Sequence, residues 1–149
     1  MSTNTTRPSL KNRPLPQVAL DYQDSERFWQ SAKQRALELQ RCDECGRFRY
    51  YPGTICHYCG SDRYTWAPIS GRGTVYSYTT LLRAKGNPFE GDLPIVVVLV
   101  TLEEGPVMLS DLVDYEPEDL RIGLPVTIEY GDIDEQYTLP LFTPARGER

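Results

Sequence analysis

"RCDECGRFRYYPGTICHYCGS", residues 41–61, contains all four cysteines of the chain. They fall in two pairs, Cys42-x2-Cys45 and Cys56-x2-Cys59, ten residues apart, with Gly46 and Gly60 directly after each pair. A two-residue gap lets both thiolates of a pair converge on one ion at about 2.3 Å, and a glycine behind the pair lets the chain turn beneath the sulfurs. Four thiolates complete a tetrahedron, so the expected group is one structural zinc ion, with iron in a rubredoxin-like site as the alternative donor match. A redox Cys-x-x-Cys would occur once; two pairs with matched spacing imply a shared ion. His57, the only histidine, lies inside the second pair and is expected to be a bystander, since four cysteines already fill the coordination sphere. The ten intervening residues leave room for one tight hairpin, "RFRYYPGTI", bending at Pro52-Gly53. A unit this small has little core of its own, so metal binding should supply most of its folding energy, and the remaining domain should keep a separate core.

Outward from this motif the chain divides into four expected parts. Residues 1–23 are polar and broken by Pro8, Pro14 and Pro16, and read as a flexible or partner-draped arm. Residues 24–40 place Phe28, Ala32, Ala36 and Leu39 at helical spacing, with Asp24 or Ser25 as N-cap and Trp29 and Leu37 widening the apolar face. That predicts an amphipathic helix of about four turns, packed on its own domain or on another subunit. Residues 41–68 form the zinc ribbon, and residues 69–149 a barrel with a C-terminal tail. In the last part "SGRGTVYSYTTLL" alternates as a strand after Gly71 and Gly73. "LPIVVVLVTL" reads as a buried central strand that turns at Glu104-Gly105-Pro106 into "VMLSDLV", making a hairpin. A helical turn over 117–120, a break at Gly123, a strand carrying Val126, Ile128 and Tyr130, and a last edge strand in "YTLPLFTP" complete the set. The fold class is mainly β: an N-terminal helix, a rubredoxin-like zinc ribbon and a small Greek-key barrel of the OB type, since a sandwich needs about seven strands.

The formal net charge of −5 is unevenly spread: residues 92–139 hold twelve Asp and Glu against Arg121, a local net of −11. Residues 41–91 carry Arg41, Arg47, Arg49, Arg63, Arg72, Arg83 and Lys85 against four acids, a net of +3. An acidic chain repels nucleic-acid backbones, yet a local basic face can hold a small phosphorylated ligand or an acidic partner. No apolar run reaches the eighteen residues of a membrane helix and the start lacks an apolar signal core, so the expected location is the cytoplasm, where thiols stay reduced unless a metal takes them. The longest loop of the barrel region, "RAKGNPFEGDLP" over 83–94, is a candidate ligand cover through Arg83, Lys85, Asn87 and Phe89. Catalytic machinery is hard to find. No Gly-x-Ser-x-Gly elbow, P-loop or dinucleotide fingerprint is present, and a saturated four-cysteine centre leaves no position for an activated water. Acid/base work by carboxylates remains as an alternative, as does single-strand binding through Tyr50, Tyr76 and Tyr78, which the acidic stretch opposes.

Taken in order, "ERFW", the cysteine motif, "SGRGTVYSYT", "LPIVVVLVTLEEG", "LVDYEPEDLRIGLPVTIEY" and "LPLFTPA" resemble the OB-fold, acyl-CoA-associated proteins with a rubredoxin-like zinc ribbon, known as domain of unknown function 35. The resemblance spans residues 24–146 and departs where family members often carry two prolines before the second pair, Tyr51-Pro52 here. It implies a non-catalytic small subunit assembled with a thiolase-like enzyme, or sometimes an acyl-CoA hydratase, with two copies expected per dimeric partner. The CoA ester would be a ligand shared by the complex, and the partner would supply the nucleophile and the proton-transfer groups. Because the ribbon lies near the CoA entrance in that picture, Arg47, Arg49, Tyr50, Tyr51, Arg72, Arg83 and Lys85 are the expected CoA or partner contacts, and Cys42, Cys45, Cys56 and Cys59 the metal ligands. The resemblance implies no catalytic residue in this chain; from the sequence itself no membrane contact is expected and the acidic stretch argues against nucleic acid, with a stand-alone binding module for single-stranded nucleic acid or acyl-CoA as the alternative.

Overall fold

The computed structural model describes residues 10, 13–15, 25–83, 85 and 94–146. Most of the arm over 1–23 and the loop positions 84 and 86–93, with Asn87 and Phe89, lie outside these residues. One helix, α1 (Ser25–Lys33), precedes a three-stranded antiparallel sheet of β1 (Glu38–Cys42), β2 (Phe48–Arg49) and β3 (Tyr64–Pro68), ordered β2-β1-β3. The remaining strands are β4 (Arg72–Leu81), β5 (Ile95–Leu102), β6 (Val107–Leu112), β7 (Pro125–Asp132) and β8 (Thr138–Pro144), with a 3-10 turn at Pro117–Asp119. They close into a barrel in the order β4-β5-β6-β8-β7, as expected of an OB fold.

The helix is shorter than the spacing predicts: it ends at Lys33, and Leu37 and Leu39 belong to the turn and to β1. Arg35 adopts φ 59°, and the chain closes with hydrogen bonds from the Arg35 N–H to the Ala32 carbonyl and from the Ala36 N–H to the Ser31 carbonyl. This is a Schellman ending made without glycine. Leu39 falls on helical spacing by coincidence, because in β1 it points inward as a strand residue opposite Ala67. The buried Ser31 hydroxyl holds the reversal together, donating to the Phe28 carbonyl (2.8 Å) and accepting from the Glu38 N–H (3.0 Å).

The inter-cysteine hairpin is also rearranged. β2 pairs with β1, Gln40 opposite Arg49, so the hairpin brackets the first cysteine pair and does not fill the space between the two pairs. Nor is β8 an edge strand. It pairs along its length with β7 and bridges β6 in parallel at Leu112 and Phe142, reinforced by the Val113 N–H to the Phe142 carbonyl (2.8 Å). A parallel contact between distant segments leaves no local signature, whereas the β5–β6 hairpin, predicted from its turn, pairs as expected.

The larger apolar core spans helix, ribbon sheet and barrel. Phe28 and Ala32 of α1, Leu37, and Leu39 of β1 pack with Val75, Val98, Val100, Met108, Leu112, Val126 and Phe142 of the barrel, so the ribbon does not stand apart. The Tyr130 hydroxyl accepts from the Leu37 N–H at 2.9 Å, tying β7 to the helix–ribbon turn. Of the arm, Leu10 is buried against Val113 and Leu141, and Arg13 pairs with Asp111 at 2.6 Å. Where β4 begins between β5 and β7 the backbones approach closely: a Cβ at Gly73 would lie 2.5 Å from the Thr101 carbonyl oxygen and 2.7 Å from Val100. Gly73→Ala should therefore cost about 1–3 kcal/mol by overpacking against backbone that cannot yield. Urea unfolding checks this, and an unchanged midpoint would contradict the tight closure.

Three carboxylates, Glu103 and Asp132 exposed and Asp119 part-buried, are held below their ordinary values: Glu103 by hydrogen bonds from Arg72 and Ser70, Asp119 by the Glu116 N–H and Arg146, and Asp132 by the Thr138 hydroxyl and Arg35. Since the folded values are depressed, their contribution is present above the ordinary carboxylate range near pH 4 and is lost as pH falls through it. The unfolding midpoint should therefore hold between pH 7 and about pH 5 and decline toward about pH 3. A flat profile down to pH 3 would contradict these pairings.

Candidate metal centre and its surroundings

The two cysteine pairs are built alike. In the first, the Gly46 N–H donates to the Cys42 carbonyl (2.9 Å) and the Cys42 N–H to the Arg47 carbonyl (2.9 Å). The second repeats this with Gly60 N–H to the Cys56 carbonyl (2.8 Å) and Cys56 N–H to the Ser61 carbonyl (2.8 Å). Gly46 (φ 77°) and Gly60 (φ 81°) both occupy the left-handed region, where a side chain would be strained. In each pair the first cysteine is buried and the second exposed, so the centre lies at the surface with one side covered.

The four sulfurs lie within 4.8 Å of one another, with Cys42 to Cys59 at 3.5 Å and Cys45 to Cys56 at 3.8 Å. A tetrahedron with metal–sulfur bonds of about 2.3 Å has edges of about 3.8 Å. The donor set thus fits a structural zinc ion, which would be held by Cys42, Cys45, Cys56 and Cys59. Burial raises Cys56, but N–H groups of Tyr58 and Cys59 and the neighbouring thiols outweigh it and bring this thiol down, while Cys59 moves up despite the Ser61 N–H. His57 is not part of the cluster; its ring lies tilted against Tyr58, with centroids 4.1 Å apart.

The seven expected contact residues do not form one site. Arg49 is corrected outright: it is 2% exposed, bonded to the Gln40 side-chain carbonyl and to the Gly53 carbonyl, and unavailable to a phosphate. Arg72 is held by Glu103 at 2.8 Å. Arg72 opens β4 and Arg83 lies past its far end, with a strand of roughly 30 Å between them, too long for one pyrophosphate to bridge. Arg83 and Lys85 are exposed beyond β4, and Arg47 is exposed with its guanidinium 4.6 Å from the Tyr58 ring.

Tyr50 and Tyr51 do meet, in a feature the sequence did not reveal. They join Phe28 and Trp29 of α1, with Phe28 ring centroids 6.1 Å from Tyr50 and 5.4 Å from Tyr51, and the Trp29 indole N–H donates to the Tyr51 hydroxyl at 3.2 Å. Beside them a groove of about 250 Å³ runs between α1 and the barrel, walled by Phe28, Trp29, Tyr50, Met108, Leu109 and Leu141. Burial pushes the Tyr50 hydroxyl up to about 12, aided by Tyr51, so it stays a neutral donor toward the Leu109 carbonyl (3.5 Å). "ERFW" and "RYY" were the available signals, but only the fold brings them together.

Comparison with known proteins agrees with this architecture. Residues 29–65 match the family model of the ChsH2 rubredoxin-like zinc ribbon domain, and residues 66–130 that of the ChsH2 C-terminal OB-fold domain. A DUF35 domain-containing scaffold protein of Methanocaldococcus jannaschii is 32% identical over 111 residues, 73% of this chain and 78% of that protein. A probable enoyl-CoA hydratase alpha subunit of Thermomonospora curvata is 39% identical over 134 residues, 89% of this chain but only 40% of the relative's length. Among solved structures, a chain of the Ltp2-ChsH2(DUF35) aldolase superposes with a TM-score of 0.75 at 36% identity, covering 85% of this chain and 98% of that one. With both halves matched in order and the four cysteines gathered in the ribbon, the chain belongs to the DUF35 family of zinc-ribbon and OB-fold proteins.

Proposed function

We propose that the chain is a non-catalytic accessory subunit that assembles with a thiolase-like enzyme, a thiolase, acyltransferase or retro-aldolase, acting on a bulky acyl-CoA ester. The observation that carries this reading is the likeness, over nearly all of its length, to the chain from the Ltp2-ChsH2(DUF35) aldolase. The chemistry of the site agrees with it. The four thiols are gathered in the candidate metal centre, and His57 lies outside that cluster with its ring tilted against Tyr58. The chain's part is then to hold its partner and to shape the CoA approach, while bond making falls to the partner. Two copies per partner dimer follow from the partner's symmetry. Of the expected contacts, Tyr50 and Tyr51, with Trp29 beside them, have the character of interface anchors, since buried aromatic clusters carry most binding energy. A hydratase partner is the second reading, favoured by the name of the Thermomonospora relative.

The isolated chain is expected to turn over no acyl-CoA ester, whereas addition of a thiolase-like enzyme from the same organism should restore or raise cleavage. Turnover by the isolated chain would sink the proposal. Salt-dependent binding of single-stranded nucleic acid would move the function to the strand-binding class.

A further inference from the structure

The ribbon sheet carries one charge that the metal reading alone does not explain. Arg49 is 2% exposed, and among the described residues no carboxylate pairs with it. Its Nε and Nη2 reach the Gln40 side-chain oxygen (3.3 and 3.1 Å), Nη2 also reaches the Gly53 carbonyl (3.1 Å), and buried Nη1 has no partner. These acceptors are neutral, and a buried cation without a counter-charge is among the most costly features a small fold can hold.

The register indicates where the missing negative charge lies. Gln40 pairs with Arg49 on β2 and with Trp66 on β3, and Cys42 pairs with Tyr64. Residues two apart share a strand face, so Gln40, Cys42, Arg49 and Tyr64 lie on one side of the sheet. Arg41 between them lies on the other, over Phe48 at 5.7 Å. The Arg49 guanidinium stands 5.1 Å from the Tyr64 ring, and Tyr64 is directly opposite Cys42, a ligand of the candidate centre. The register thus places the guanidinium on the sheet face that carries Cys42, whose sulfur lies within 4.8 Å of the other three. Zinc with four thiolates keeps two net negative charges.

We propose that Arg49 is the buried counter-charge of the zinc–tetrathiolate centre, and that the Gln40 side chain and the Gly53 carbonyl serve to aim it. Arg49 touches no sulfur in this account; it acts through the field across Tyr64, and its value is to offset the net negative charge of the zinc-loaded centre. Arg47 and Arg63 are engaged at the surface, by Tyr58 and Glu44, where water screens them.

The test is zinc affinity of the full chain, measured by competition with a chromophoric chelator, for wild type, Arg49→Met, Arg49→Gln and Arg49→Lys. Loss of charge should weaken zinc binding on the order of ten- to a hundredfold in both neutral variants. The lysine variant, which keeps the charge but not the planar fork, should stay within about threefold of wild type. If lysine is as weak as methionine, Arg49 is a hydrogen-bonding scaffold and the proposal fails. Equal zinc affinity in all four proteins would overturn it as well. Should the methionine variant not fold, the comparison of glutamine with lysine decides, because both keep a polar head and only one keeps the charge.

Discussion

Cys42→Ser is expected to abolish stoichiometric zinc and to lower the unfolding temperature of the entire chain, barrel included, in a single transition. Structural zinc supplies on the order of 10 kcal/mol to small ribbons, and three remaining thiolates cannot close the tetrahedron. The effect reaches the barrel because Cys42 ends β1, and the same strand carries Leu39, fully buried in the core that also contains Val98 and Phe142. When β1 loses its metal anchor, Leu39 and Leu37 lose their fixed place beneath the barrel. A loss of even about 4 kcal/mol corresponds to roughly 10 °C in a chain of this size. Calorimetry of the zinc-loaded and serine proteins reads this directly. A barrel that melts at an unchanged temperature after the ribbon has unfolded would show two cores, the arrangement that the motif spacing alone suggests.

Phe28→Ala is the second substitution with a large expected effect, about 3–5 kcal/mol of stability. The side chain is 1% exposed and contacts all three parts of the molecule. It meets Trp29 edge-on at 5.0 Å within α1, the Tyr50 and Tyr51 rings after β2, and the apolar residues of the barrel. Its removal leaves a cavity that no single neighbour can fill, because the surrounding groups sit on a helix, a loop and a closed barrel. Urea unfolding followed by tryptophan fluorescence would measure the loss. A cost under about 1 kcal/mol would mean that α1 is peripheral to folding.

How much of this was legible beforehand depends on how local each signal is. The metal ligands are fixed by two short motifs whose geometry is set by four residues each, so Cys42, Cys45, Cys56 and Cys59 converge as the spacing requires. The β5–β6 hairpin and the strand around Val126 follow from alternation and turn residues for the same reason. The end of α1 did not follow, because Arg35 takes a left-handed conformation usually left to glycine, and Leu39 satisfies both a helical and a strand period. Arg49 was misread as a surface group because nothing in "RFRYY" distinguishes an arginine aimed at Gln40 from one aimed at water. β8 was misread as an edge because its contact with β6 joins segments thirty residues apart. The aromatic groove required the helix, the ribbon and the barrel to be assembled together.

The architecture also narrows what the chain can contribute to a complex. Described positive groups are dispersed, with Arg72 and Arg49 already engaged within the fold, so binding a CoA phosphate calls for residues of a second protein beside the exposed Arg47, Arg83 or Lys85. The aromatic surface around Trp29, Tyr50 and Tyr51 offers the opposite character, apolar faces with polar tips, of the kind that protein interfaces use.

The most direct measurement is co-purification of this chain with a thiolase-like enzyme from the same organism, followed by molar mass, zinc content and acyl-CoA turnover of the product. The accessory-subunit account predicts a stable hetero-oligomer with about one zinc per copy of this chain and turnover seen only when both proteins are present. A chain that elutes alone beside a fully active enzyme would contradict it.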